Sequence, residues 1–162
     1  MALLVGKHVN KIDKKGRVSV PKPFRDAFEG QGFVGLYAYP SFKFPAIEAM
    51  GEAFMARLVA AIDDLPLYSD ERDDLTAIVE NTYRLPCDPE GRVVLPAELL
   101  EHASISGEAL FAGRGGALQI WNPEAYARDR APAFERARAR GITLRLPPAT
   151  PDPNPKDPGR EG

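Results

Sequence analysis

The chain has 162 residues, a formal net charge of −2, and 44% hydrophobic and 27% charged residues. This balance predicts one small globular domain or two very small ones, and it excludes a chain that is disordered throughout. No apolar run reaches the ~18 residues of a transmembrane helix, so no membrane partner is expected. The single cysteine, Cys87, cannot form an intrachain disulfide, which favours a reducing, cytoplasmic compartment.

Charge is distributed unevenly along the chain. Residues 1–25 carry seven basic side chains and one acidic side chain, a net charge of +6. Residues 60–80 carry seven acidic side chains and one basic side chain, a net charge of −6. Such asymmetry is typical of a surface for an anionic partner, or of a basic strand balanced by an acidic helix. No catalytic motif, cofactor motif or metal-ligand spacing accompanies it, so we expect neither an enzyme nor a cofactor or metal site.

The first predicted element is a β-hairpin with strands at residues 9–12 and 17–20. Its turn contains Asp13, whose carboxylate can accept backbone N–H groups, and Gly16, which can adopt a positive φ. Pro21 ends the second strand because it cannot donate into a ladder. One or two helical turns follow, with an apolar side formed by Phe24, Ala27 and Phe28.

Longer helices are predicted further along the chain. Apolar residues recur at spacings of 3, 4, 4 and 4 from Ile47 to Ile62, which predicts a helix that begins near Pro45. Ser69 is expected to cap a second helix. A third is expected to begin at Asn122-Pro123 and end near Gly141.

The chain contains an internal repeat. Residues 12–28 and 87–103 align at an offset of 75, and each copy has the pattern Asp-x-x-Gly-Arg-Val followed by a proline. Residues 36–40 and 118–123 align more loosely at an offset of 82, which predicts extra residues in the turn at 113–116 of the second copy. One unit of ~45 residues is too small to be stable alone. We therefore expect the two copies to fold against each other as an interleaved β-barrel with pseudo-twofold symmetry.

The doubled hairpin unit resembles the SpoVT/AbrB swapped-hairpin module, and two such units with helices between and after them resemble the MraZ family of bacterial transcriptional regulators. The resemblance covers about residues 3–135. The residues that carry it lie at 13–21, 24–25, 39–42, 68–72, 88–96 and 119–121. It implies an α+β fold: a pseudo-symmetric swapped-hairpin β-barrel from two tandem SpoVT/AbrB-like repeats, with flanking helices.

Five segments follow from the repeat and from this resemblance. They are a SpoVT/AbrB-like unit with its following helix at 7–54, a helical connector at 55–82, a second SpoVT/AbrB-like unit at 83–126, a C-terminal helix and end segment at 127–146, and a disordered Pro-rich tail at 147–162.

The resemblance also implies a function. A protein of this family is expected to be a sequence-specific DNA-binding regulator, a repressor of a bacterial division and cell-wall gene cluster. It would form a homo-oligomeric ring, bind operator repeats in double-stranded DNA through basic β-hairpins, and be cytoplasmic and nucleoid-associated. The predicted DNA-binding residues of the first hairpin region are Lys11, Asp13, Lys14, Lys15, Arg17, Lys22 and Arg25. The corresponding residues of the second hairpin are Asp88 and Arg92.

The two hairpin turns differ in charge, which leaves alternatives open. The first contains Lys14-Lys15, whereas the second contains Pro89-Glu90, whose carboxylate would repel phosphate. We therefore expect the first hairpin to contact DNA. Asp and Arg occur in both turns, so they also have a structural explanation, in which Asp orders the turn and Arg pairs with a carboxylate. A structural or protein-interaction barrel that assembles through its basic and acidic segments is the alternative function.

Overall fold

A computed structural model describes residues 3–149 of the chain. Its elements in chain order are β1 (Lys7–Lys11), β2 (Arg17–Ser19), α1 (Lys22–Asp26), β3 (Gly35–Pro40), β4 (Ala46–Met50), α2 (Glu52–Asp63), α3 (Asp70–Glu80), β5 (Tyr83–Pro86), β6 (Arg92–Val94), α4 (Ala97–Ala103), β7 (Glu108–Gly113), β8 (Leu118–Trp121), α5 (Pro123–Asp129) and α6 (Pro132–Arg140). Within the described residues, no helix is both long enough and apolar enough to cross a bilayer. Most of the predicted tail, residues 150–162, lies outside the described residues.

The strands form two antiparallel sheets. The larger has six strands in the order β1-β7-β8-β4-β3-β5, and the smaller pairs β2 with β6. If each of β1–β4 is replaced by its counterpart among β5–β8, and the reverse, the strand order of the large sheet read from its other edge is the same. The expected α+β class is confirmed, but the two sheets do not join into a closed barrel within residues 3–149.

Each half of the chain supplies strands that pair with the other half. β1 pairs with β7, β2 with β6, β5 with β3, and β4 with β8. At the centre of the large sheet Ile47 lies opposite Ile120, and in the small sheet Val18 lies opposite Val93. The two halves are therefore interleaved, and they share one hydrophobic core. The hairpin predicted from residues 9–12 and 17–20 is only partly present, because β1 lies in the large sheet and β2 in the small one, and they meet at the antiparallel bridge between Ile12 and Val18. We call the turn between them, with its two flanking strands, the first hairpin.

That core lies between the two sheets and the short helices α1 and α4. Both sheets and both helices contribute fully buried side chains, among them Val18, Phe24, Val93, Leu99 and Ile120. A smaller cluster covers the opposite face of the large sheet, where Trp121 packs against Phe44 and Tyr126. Burial of Val18 and Val93 in the larger cluster holds β2 and β6 in place, and with them the two turns.

The helix predicted from Pro45 to Ile62 is only partly present. Residues Ala46–Met50 form the central strand β4, and the helix α2 begins after Gly51, whose backbone is extended. In β4 every residue except Glu48 is buried, since both faces of a central strand are covered. A strand of this kind lacks the alternation that identifies a half-exposed strand.

The loose alignment at an offset of 82 is wrong because it matches strands that are not counterparts in the two halves. Residues 36–40 lie in β3, whose counterpart in the sheet order is β7, whereas residues 118–121 form β8, the counterpart of β4. The predicted turn between Gly113 and Gly116 is confirmed, since it connects β7 to β8 and Arg114 N donates to Ala117 O at 2.8 Å.

The predicted helix from Asn122 to Gly141 is divided into α5 and α6. Pro132 begins α6, and a proline disfavours helical geometry at the preceding residue. The predicted cap at Ser69 is confirmed, since Ser69 Oγ accepts from Arg72 N at 3.2 Å. The predicted helix start at Asn122-Pro123 is also confirmed, and Asn122 caps α5 because its Oδ1 accepts from Glu124 N at 2.8 Å. The chain divides after Pro132 into two compact units. The five-segment organisation stays a prediction.

Candidate nucleic-acid interface

The turn of the first hairpin is ordered by the carboxylate of Asp13. Its Oδ1 accepts from Lys15 N at 2.9 Å and from Arg17 N at 3.0 Å, and its Oδ2 accepts from Arg17 Nε at 2.7 Å. Gly16 has a φ of +84°, and a Cβ there would lie 2.6 Å from the Leu95 carbonyl oxygen. The local geometry of this turn thus requires aspartate and glycine, and the arginine side chain adds one more bond to the same carboxylate.

The second turn repeats this arrangement atom for atom. Asp88 Oδ1 accepts from Glu90 N and Arg92 N, both at 2.9 Å, and Asp88 Oδ2 accepts from Arg92 Nε at 2.8 Å. Gly91 has a φ of +80°. The structural role expected for Asp and Arg in both turns is therefore confirmed. Their contact with DNA stays a prediction.

These hydrogen bonds affect the acidity of both aspartates. The backbone N–H of Arg17, followed by its side chain, lowers the pKa of Asp13 below the ordinary value of 3.8. Arg92 lowers the pKa of Asp88 in the same way, again mainly through its backbone N–H. A carboxylate with a lowered pKa in the folded protein stabilises the fold above its ordinary pKa, and this contribution disappears as the pH falls through the folded value.

We therefore expect both turns to loosen only below about pH 3.8. A ¹³C titration of the carboxyl groups, followed by NMR, should give pKa values below 3.8 for Asp13 and Asp88, with matching loss of exchange protection at Arg17 N and Arg92 N. In Asp13→Asn the acid-dependent change should vanish from the first turn and persist in the second. Titration of either group at or above 3.8 would contradict the geometry.

The turns differ in what surrounds the terminal nitrogens of the arginine. Arg92 Nη2 lies 3.3 Å from Glu90 Oε2, so this guanidinium is held by two carboxylates. At the position of Glu90 the first turn has Lys15, and Arg17 pairs with Asp13 alone among the described residues. Lys14 and Lys15 are exposed and have no ion-pair partner in residues 3–149. The first turn therefore presents three cationic groups against the one carboxylate of Asp13, whereas in the second turn one guanidinium faces two carboxylates.

The pairing of β2 with β6 brings the two arginines onto one surface, which sequence reasoning missed. Arg17 lies opposite Val94, and Ser19 lies opposite Arg92. These four side chains point outward because the intervening Val18 and Val93 are buried, each with 1% of its surface exposed. We call the four residues the ribbon face. Local spacing predicts each turn, but it contains no information about which strand of the other copy lies beside β2 or β6.

The remaining predicted basic residues do not all gather at the first turn. Lys11 ends β1 opposite Glu108, and Lys22 pairs with Asp26 at 3.0 Å on the surface. Arg25 is half-buried, and its Nε donates to the Val20 carbonyl at 2.9 Å.

Arg25 is placed beside the second turn rather than the first. Its guanidinium packs so closely against Gly91 that a Cβ at Gly91 would overlap it. Val20 N also donates to Gly91 O at 3.0 Å, so this end of β2 lies at the second turn. The placement favours a structural role for Arg25 in holding that turn.

Comparison with known proteins gives the chain a family. The family model described as "MraZ protein, putative antitoxin-like" matches residues 78–139. The transcriptional regulator MraZ of Gluconacetobacter diazotrophicus is 41% identical over 142 residues, which cover 85% of this chain and 90% of that relative. The chain belongs to the MraZ family. Relatives of the same name from Pelagibacter ubique and Rickettsia bellii are 38% and 40% identical, over 88% and 90% of this chain and 93% and 98% of their own.

The MraZ match includes one of the two turns directly. Residues 78–139 contain Asp88, Arg92 and all of β6, so the second half of the ribbon face lies within the matched region. The relatives are named as transcriptional regulators. Membership in the MraZ family confirms the resemblance that the sequence motifs indicated.

Proposed function

We propose that the chain is a sequence-specific DNA-binding transcriptional regulator, whose first hairpin turn and ribbon face contact double-stranded DNA. The observation that carries this proposal is the group of cationic side chains at the first turn, Lys14, Lys15 and Arg17. Among the described residues, Asp13 is the one acidic side chain that forms an ion pair with any of them. The names of the relatives support the same function.

The geometry suits a duplex. The major groove admits a two-stranded antiparallel β-ribbon, and β2 with β6 is such a ribbon. Lysines at an exposed turn can contact phosphates, while an arginine whose terminal nitrogens are available can pair with the O6 and N7 of guanine. The other predicted residues assist this surface. Lys11 and Lys22 add positive charge, while Asp13 and Arg25 hold the conformation of the turns. Asp88 and Arg92 belong to the second turn, where the guanidinium is paired with two carboxylates.

The wider function follows the family. We propose a cytoplasmic, nucleoid-associated repressor of a division and cell-wall gene cluster, which binds operator repeats as a homo-oligomeric ring. Head-to-tail contacts between non-equivalent halves favour a closed ring. We also propose that the two halves are swapped-hairpin modules, which the pairing of β2 from the first half with β6 from the second supports.

Binding to duplex DNA at several salt concentrations, measured by fluorescence anisotropy, tests this function. Wild-type protein should bind with a steep salt dependence. Lys14→Ala should reduce the slope of log K against log salt by ~0.9 and weaken binding equally on selected and random duplexes. Lys43→Ala removes an exposed lysine far along the chain, and it should leave the slope unchanged.

Light scattering on the same samples should give a multiple of the monomer mass. Failure of the wild-type multimer to bind any duplex would contradict the proposal and favour the alternative of a protein-interaction barrel, assembled through residues 1–25 and 60–80. Self-association without DNA binding is the result that distinguishes these two functions.

A further inference from the structure

We infer that Val94, from the second half of the chain, contacts a thymine methyl group in the DNA that the first hairpin binds. This inference rests on the proposed DNA binding and adds to it a residue that determines specificity. It assigns the second half a part in sequence recognition through its strand rather than through its turn.

The register of the small sheet places Val94 beside the proposed base-reading arginine. Arg17 and Val94 lie directly opposite each other, and side chains in such a pair have Cβ atoms about 4.5–5.5 Å apart. Successive bases of one strand are ~3.4 Å apart along the helix axis. A base contacted by Arg17 and a base contacted by Val94 are therefore the same or adjacent along the duplex.

The exposure of Val94 sets it apart from the other valines of the ribbon. Val18 and Val93 each have 1% of their surface exposed, whereas Val94 has 53%. Its counterpart at an offset of 75 is Ser19, so the first half has a polar side chain where the second has an apolar one. The ribbon face thus combines arginine, serine and an apolar β-branched group. Of the four bases, only thymine presents a methyl group in the major groove.

Arg92 is less available than Arg17 as a base contact. Nε is bonded to an aspartate in both arginines, but Arg92 Nη2 also lies 3.3 Å from Glu90, so its guanidinium would have to release this second carboxylate before it could bind a base. Val94 needs no such rearrangement, since its side chain already points to solvent. It is the exposed apolar group of the ribbon face.

A double-mutant cycle between protein and DNA tests the inference. Duplexes are first selected from a random library by the wild-type protein, and each thymine of the selected site is then replaced by deoxyuridine, which removes the C5-methyl group. One replacement should weaken wild-type binding about fourfold, as expected for one methyl-sized contact. The Val94→Ala variant should bind the unmodified site more weakly than the wild type does. Its affinity should not change further when that thymine is replaced by deoxyuridine.

Two control variants distinguish the outcomes. Val94→Thr keeps the β-branched shape and should lie between wild type and Val94→Ala, while Val34→Ala removes an exposed valine outside the ribbon and should change nothing. Additive losses at every thymine, unchanged affinity of Val94→Ala, or a selected site without thymine would overturn the inference while leaving DNA binding intact. If the wild type enriches no duplex, the proposed function itself fails.

Discussion

Lys15→Glu should cause the largest loss of DNA affinity of any single substitution in the first hairpin. Glu90 occupies the equivalent position in the second turn, where its carboxylate lies 3.3 Å from Arg92 Nη2. The same geometry in the first turn would occupy the terminal nitrogens of Arg17 without disturbing its bond to Asp13. We expect a loss of about 1–3 kcal/mol at the base that Arg17 reads. The salt slope should also fall by ~0.9 or more, because a cation near phosphate is replaced by an anion.

The reverse exchange is the matched control for this variant. Glu90→Lys removes the corresponding ion pair from the second turn and should not weaken binding, since that turn is placed away from Lys14 and Lys15. Anisotropy with selected and random duplexes, with the oligomer mass checked alongside, measures both variants. Equal affinity of Lys15→Glu and wild type would show that the first turn does not contact DNA.

Phe24→Ala should cause the largest loss of stability. Phe24 has 1% of its surface exposed, lies in α1 directly after the first hairpin, and meets the His8 ring edge-on with the centroids 5.2 Å apart. Truncation of a buried phenylalanine to alanine costs about 3–5 kcal/mol, because transfer free energy is lost and a cavity remains. Urea unfolding at fixed protein concentration should show a lower midpoint with an unchanged m-value.

Phe42→Ala makes the same chemical change at an exposed position. Phe42 has 66% of its surface exposed, and its truncation should change the free energy of unfolding by no more than about 0.5 kcal/mol. Similar losses for the two variants would mean that the core around α1 is not packed as described.

The features that could be predicted from sequence are those that depend on neighbouring residues. Both turns were predictable because an aspartate and a glycine three residues later fix the same local hydrogen bonds wherever they occur. The cap at Ser69 was predictable for a similar reason, since its hydroxyl reaches a backbone N–H three residues away. The opposite charges of Lys15 and Glu90 could be read from the sequence. The structure adds that the Glu90 carboxylate lies beside the guanidinium of Arg92.

The features that could not be predicted depend on residues far apart in the chain. Ile47 and Met50 extend the helical spacing of α2 backwards, and only the covered position of β4 at the centre of the sheet shows that they belong to a strand. The ribbon face could not be anticipated either. Arg17 and Val94 belong to different copies of the repeat, and no local pattern indicates that β2 lies beside β6.

The exchange of strands between halves has a consequence for synthesis on the ribosome. The partner of β1 begins at Glu108, about 100 residues after Lys7, and chains elongate at about 5–20 residues per second. The first half therefore waits roughly 5–20 s before β7 emerges. Meanwhile Phe24 and Val18 lack the side chains that the second half contributes to their core, among them Val93, Leu99 and Ile120. Since the two halves have equivalent strands, we expect that first halves on adjacent ribosomes of one messenger RNA are able to pair with each other, in competition with folding within each chain.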